Sequence, residues 1–224
     1  MNRPSRRTVV DLSHPIEAGM TTYPGLPGPV ISDHMSRADS RPRYTPGTEF
    51  QIGRIEMVAN TGTYLDTPFH RYPDGADLSG LDLALLADVP GVLVDATGTG
   101  RAVGPELLEQ HEVAGRAVLV RTGWDRHWGT EKYGDPEHPF LTVDAVHRLI
   151  AEGAALVGID SVNIDDMADL DRPAHTGLLG AGIPIVEHLG GLDRLPASGF
   201  RLHAAPPPVI GMGSFPIRAY AVLD

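Results

Sequence analysis

Asn60-Thr61-Gly62-Thr63-Tyr64-Leu65-Asp66-Thr67-Pro68-Phe69-His70 is the stretch around which the chain is organised. An alternating run precedes it, with Ile52, Arg54, Glu56 and Val58 set against Ile55, Met57 and Ala59, and reads as a strand. Gly62 permits a turn or a close approach to the backbone. Pro68 restricts the residue before it and stiffens the exit. A carboxylate and an imidazole, Asp66 and His70, are therefore delivered from a pinned loop at a strand end. Such loops carry chemistry out of proportion to their length. The same residues also fit an ordinary strand-to-turn connection with a surface Asp and a surface His.

Upstream, residues 1–8 read as a flexible lead, and Thr8 to Leu12 as a short strand that opens a single domain over 9–224. Tyr23-Pro24-Gly25-Leu26-Pro27-Gly28-Pro29 holds too many breakers for a regular element and is a loop. Tyr23 lies over a pocket or is a plain surface tyrosine. Ile31 to Tyr44, of mixed polarity, reads as a flap or a subunit contact.

Downstream, Ser79 is placed to cap a short helix through Leu83 and Leu86, with Asp82 in its first turns. Gly91–Asp95, Arg116–Arg121 and Ala154–Asp160 read as buried strands, and Gly104-Pro105 opens a helix across Glu106 to Glu112. The loop from Thr122 to Leu141 gathers Trp124, Trp128, Tyr133 and Phe140, as a pocket wall or an interface, or as a cover for a sheet edge. Thr142 caps a helix whose apolar face is Val143, Val146, Leu149 and Ile150 and which ends at Gly153. Asp165, Asp166, Asp169 and Asp171 lack the alternation of a calcium loop and read as a solvated acidic loop. Pro173 begins a short helical turn, and Ile183 to Glu187 is a strand. Strand–loop–helix–strand order implies α/β layering with some parallel pairing.

Composition narrows the function. Of 224 residues 42% are hydrophobic and 21% charged, a globular composition. A formal net charge of -11 disfavours nucleic acid as a partner. The chain has no Cys, which excludes disulfides, thiolate nucleophiles and Cys-ligated zinc. No apolar stretch has signal-peptide or membrane-span length, so the expected location is cytoplasmic, with no membrane partner. By chemistry the site candidates are Asp66, His70, His175 and Glu187. Two carboxylates with a histidine or two can hold a divalent cation, and a further imidazole can take a proton from water. Ten histidines leave several such sets open.

The chain resembles the cyclase-family metal-dependent hydrolases, the family of bacterial kynurenine formamidase and isatin hydrolase. Their hallmark run is His-x-Gly-Thr-His-x-Asp-x-Pro-x-His, and the run at 60–70 follows it in part. Asp11-Leu12-Ser13, Tyr23-Pro24-Gly25, Thr122-Gly123-Trp124 and Gly158-Ile159-Asp160-Ser161 extend the likeness over nearly the whole chain. The resemblance implies an α/β fold, a mixed β-sheet core with flanking helices and additional β structure. It also implies a homodimer or homotetramer, with the proline-rich opening and the Ile31 to Tyr44 segment as the contact.

The departures are informative. Asn60 and Tyr64 stand where the family places two histidine ligands, while Asp66, His175 and Glu187 match its remaining ligands and His70 its catalytic imidazole. The resemblance thus implies one divalent ion, zinc or manganese, held by Asp66, His175 and Glu187. His70 is then general base and acid, and Tyr23, Trp124 and Asn60 lie against the substrate. The expected reaction is hydrolysis of a small-molecule amide, formamide or cyclic amide or ester, with the aromatic loop suited to a planar, aromatic substrate. Two other readings stay open: a metal-independent lyase, dehydratase or isomerase using Tyr64, Asp66 and His70, and an inactive binding or structural homologue.

Overall fold

The apolar runs Val89–Asp95, Ala117–Arg121 and Leu156–Ile159 form the parallel centre of a nine-stranded sheet. A computed structural model describes residues 7–224. Across the sheet the strands run Val9–Asp11, Tyr220–Leu223, Ser198–His203, Val89–Asp95, Ala117–Arg121, Leu156–Ile159, Ile185–Glu187, Tyr64–Asp66 and Ser214–Pro216. Ile185–Glu187 continues the parallel set, and the remaining pairings are antiparallel. The sheet is therefore mixed, as expected. The expected lead over 1–8 falls largely outside the described residues; at its end the Thr8 carbonyl accepts from the Leu223 N–H.

Central strands buried on both faces need apolar residues at every position, which is why these runs do not alternate. Val118 and Val120 pack on one face with Val146, Leu149 and Leu178 of the two main helices. Ala117 and Leu119 pack on the other with Leu65, Val186 and Phe200. The helices are Val143–Ala151, whose Thr142 hydroxyl accepts from the Ala145 N–H at 3.2 Å, and Pro173–Gly180. A Cβ on Gly177 would lie 2.9 Å from Val146, so glycine lets these helices approach closely. Among the described residues no helix is long and apolar enough to cross a membrane.

Four local expectations are corrected. The alternating run forms a strand only over Ile52–Glu56, and pairs with Val30–Met35 in a separate hairpin with all five residues exposed. Alternation marks a strand but not the sheet it joins. The cap near residue 80 is Asp82, accepting from the Ala84 N–H at 2.9 Å, and it opens one 3-10 turn, Leu83–Leu85. The helix expected after Pro105 is likewise a single 3-10 turn, Pro105–Leu108. In the acidic loop, Asp165 is fully buried rather than solvated.

Candidate active site

Tyr64 and Asp66 lie two apart on a strand and so point to the same side of the sheet. Glu187 pairs directly with Tyr64, and Ser214 with Asp66, on the two flanking antiparallel strands. Register alone thus converges two carboxylates, a phenol and a hydroxyl. The Tyr64 hydroxyl donates to Glu187 Oε2 at 2.5 Å, and the Ile164 N–H donates to Glu187 Oε1 at 2.7 Å. Ser214 donates to Asp66 Oδ1, which also takes a long contact from Asn60 Nδ2 at 3.5 Å. The other oxygen, Asp66 Oδ2, is buried and has no hydrogen-bond partner.

His175 faces that oxygen. It sits in the first turn of the Pro173–Gly180 helix, with Nε2 3.6 Å from Asp66 Oδ2 and 3.8 Å from Glu187 Oε1. Its other nitrogen, Nδ1, is 2.6 Å from Asp165 Oδ2. Asp165 also accepts from the N–H groups of Ala174, at 2.5 Å, and His175, at 3.1 Å. It therefore caps the helix from outside and orients the ring in one stroke. Sequence reasoning missed Asp165; the signal present was its ten-residue offset from His175, which only the fold interprets.

His70 completes the group from a 3-10 turn, Pro68–His70. Its Nδ1 is 2.9 Å from Ser214 Oγ and 3.8 Å from Asp66 Oδ1. Ser214 has one proton, and the ionised Asp66 carboxylate can only accept. The hydroxyl must then accept from His70 Nδ1–H, which leaves Nε2 with a free lone pair. Ser214 was not among the expected site residues, because nothing near it in sequence marks a site.

Buried charge shapes the proton inventory. Burial pushes Tyr64 well above the usual phenol range, reinforced by the Glu187 and Asp66 charges, so it remains a phenol and a donor. Burial works against the charged His175 ring, but the Glu187 charge, the Asp165 hydrogen bond and Asp66 outweigh it and raise its pKa well above the ordinary value. Burial also raises Glu187, partly offset by the His175 charge. Asp66 is lowered: its burial is outweighed by contacts with His175 and Ser214 and by the two histidine charges.

A cavity of about 450 Å³ opens on this group. Tyr23, Asn60, Tyr64, His70, His175 and Glu187 all line it. Asp66, fully buried, touches it through His70 and His175. Trp124 does not line it. Its indole is buried, donates to the Tyr133 carbonyl at 2.9 Å and packs with Tyr133 and Val162, against Tyr23. The aromatic loop instead contributes Trp128 and Tyr133 to a separate cavity of about 920 Å³. Asp160, at the carboxyl end of its strand, serves that loop: it accepts from Thr122 N–H and Oγ1 and from Gly123 N–H, and burial raises it to about 6.

Asp66, His70 and His175 each offer a ligand atom within 4.8 Å of the others. This set differs from the expected Asp66, His175 and Glu187 by His70, although Glu187 Oε1 is close to His175 as well. The residues fit a divalent cation on a direct observation. Asp66 Oδ2 is buried without a hydrogen-bond partner and faces His175 Nε2 at 3.6 Å, and three carboxylates surround the one imidazole, so that a bound cation would take the place of the proton the ring otherwise holds. Such an arrangement asks for a positive charge between them.

Known proteins match the chain over most of its length. Kynurenine formamidase of Bacillus cytotoxicus is 28% identical over 211 residues, covering 94% of this chain and 95% of that protein. Kynurenine formamidase of Maricaulis maris is 28% identical over 210 residues, with 93% and 95% covered. A solved potential metal-dependent hydrolase with cyclase activity superposes with a TM-score of 0.80 at 26% identity, covering 98% and 99% of the two chains. Isatin hydrolase A from Labrenzia aggregata, at 24% identity and with 96% and 93% covered, shares the fold with a TM-score of 0.82. The profile of the Putative cyclase family matches residues 10–166, a span that holds Asp66, His70 and Asp165, and the chain belongs to that family.

Proposed function

We propose that the protein hydrolyses the C–N bond of a small amide, formamide or cyclic amide, with one zinc or manganese ion held by Asp66, His175 and Glu187. The observation that carries this reading is the unpartnered, buried Asp66 Oδ2 facing His175 Nε2, with the His175 ring fixed from behind by Asp165. The names of the relatives, kynurenine formamidase and isatin hydrolase, support the reaction class.

A cation bound there supplies Lewis acidity toward a carbonyl oxygen and toward water. His70 supplies the proton chemistry at Nε2. Ser214 and Asp66 hold its Nδ1–H, so Nε2 accepts a proton from water as oxygen adds to the carbonyl carbon. The same nitrogen then returns that proton to the departing amine as the C–N bond breaks. Tyr64 donates to Glu187 and holds that carboxylate in place. Because its hydroxyl already donates to Glu187 and its proton is tightly held, Tyr64 is a poor general acid, which favours hydrolysis over an elimination in which Tyr64 delivers the proton. Tyr23 and Leu26 give the cavity an apolar side for an aromatic substrate. Asn60 stands where its amide can meet the substrate. We further propose that the working form is a homodimer.

Metal content of protein purified without chelator tests the reading. About one equivalent of zinc or manganese is expected from a three-ligand site. It should be lost in Asp66→Ala and His175→Ala, together with hydrolysis of aryl formamides or isatin. A protein that takes up no metal on titration would overturn it. His70→Ala should keep the metal and lose turnover by roughly 10²–10⁴-fold; loss of metal in that variant would make His70 a ligand instead of the base.

A further inference from the structure

Two arginines stand on the wall of the same cavity without a carboxylate partner. Arg71 and Arg172 both line it, and among the described residues neither lies within ion-pair distance of an acid, whereas eight other arginines do. Their hydrogen bonds go to neutral groups. Arg71 Nε donates to Thr176 Oγ1 at 3.4 Å, and Arg172 Nη1 donates to Asn163 Oδ1 at 3.2 Å. Thr176 links the two, since its N–H donates to the Arg172 carbonyl at 2.8 Å. The Arg71 guanidinium is thus tethered to the helix that carries His175, and Arg172 sits at that helix's start with its guanidinium held by Asn163. Asp171 shares the wall but pairs with neither, and its N–H is taken by its own loop, at Asp169 Oδ1.

A guanidinium presents five N–H donors in a planar fork, and each of these two spends only one on the protein. In a chain with 29 acidic residues against 18 basic ones, two cations on one cavity wall, each with most of its donors free, offer a site for an anion from outside. We propose that the substrate carries a carboxylate bound by Arg71 and Arg172, while the carbonyl to be hydrolysed lies against Asp66 and His175. The position of the carbonyl rests on the hydrolase reading; the anion site does not. A carboxylate fits better than a phosphate dianion, because the buried carboxylates of Asp66, Asp165 and Glu187 disfavour a second negative charge nearby.

The test uses two small aryl amines that differ only in charge, anthranilate and anthranilamide, titrated into the intact protein by calorimetry. Anthranilate should bind about tenfold or more tightly than the amide, and high salt should erase most of that difference. Arg71→Gln and Arg172→Asn should each weaken anthranilate severalfold and leave anthranilamide unchanged, which also shows that the variants are folded. Asn suits position 172 because the backbone there is left-handed, with φ +49°. His175→Ala should still bind anthranilate. Equal binding of the two probes would overturn the proposal, as would an equal loss of both in the arginine variants. So would loss of anthranilate in His175→Ala with no change in the arginine variants, since the carboxylate would then occupy the cation site. Absence of metal or of amide hydrolysis would sink the hydrolase reading and leave this anion site standing.

Discussion

Asp165 holds the backbone of residues 174 and 175 and the ring of His175 at once, so its two oxygens fix both where the imidazole starts and where it points. A ring held this way presents Nε2 without an entropic search. Asp165→Asn keeps the size but leaves only one oxygen to accept. Metal affinity should fall roughly 10- to 100-fold, read by competition with a chromogenic chelator. Ser214→Ala removes the hydroxyl between Asp66 and His70 and frees the ring to turn. Turnover should drop roughly tenfold with the metal retained and KM little changed. Proton linkage gives a third expectation. The folded pKa of His175 is raised above its unfolded value in the metal-free protein. Its contribution to stability is therefore complete below about pH 6.5, the unfolded value, and fades as pH rises through the folded pKa. Metal-stripped protein should lose melting temperature relative to a His175→Gln variant as pH climbs above that point. Since a cation must displace the same proton, metal affinity should rise over the same interval.

At the level of elements, two glycines pin the loop that carries His70. A Cβ on Gly75 would fall 2.6 Å from the Pro68 carbonyl carbon, and one on Gly213 would fall 2.4 Å from the His70 nitrogen and 2.5 Å from its Cα. The obstruction at His70 is backbone, which no rotamer change relieves. Gly213→Ala should push the 68–70 turn off the Ser214–Pro216 strand, destabilise the fold by about 1–3 kcal/mol in urea melts, and cost more activity than its stability loss explains. A neutral outcome would mean the turn is pliant. Neither glycine stands out in the sequence, because each matters only through a neighbour far along the chain. The same limit explains what was legible. Asp66, His70, His175 and Glu187 are marked by residue type and motif, and the central strands by unbroken apolar runs. Ser214 and Asp165 are recruited by strand register and by a helix start. Of the hairpin at 30–35 and 52–56 only the second strand is marked in the sequence, by its alternation; the first, of mixed polarity, is not, and the separation from the main sheet depends on where Gly62, with φ +69° and Ile16 beside it, turns the chain.

For the molecule as a whole, that hairpin poses the remaining question. Ile31 and Ile55 are directly paired across it, with Met35 and Ile52 paired beyond an irregularity in register. Ile31, Ile52 and Ile55 are each about half exposed, at 50%, 50% and 48%, and Phe50 and Tyr44 nearby are exposed as well. An isolated two-stranded sheet is marginal in water, and exposed β-branched residues on it gain by being covered. A second copy of this chain is the simplest cover, because a two-fold contact brings the same patch from both sides and leaves no open strand edge free to propagate. Sedimentation should accordingly give a mass of at least twice the 23.9 kDa chain. Ile31→Asp combined with Ile55→Asp should shift it to a single chain, with the melting temperature of the main sheet largely preserved. A wild-type protein that sediments as one chain at micromolar concentration would show that the hairpin stays uncovered and that the cavity works without a neighbour.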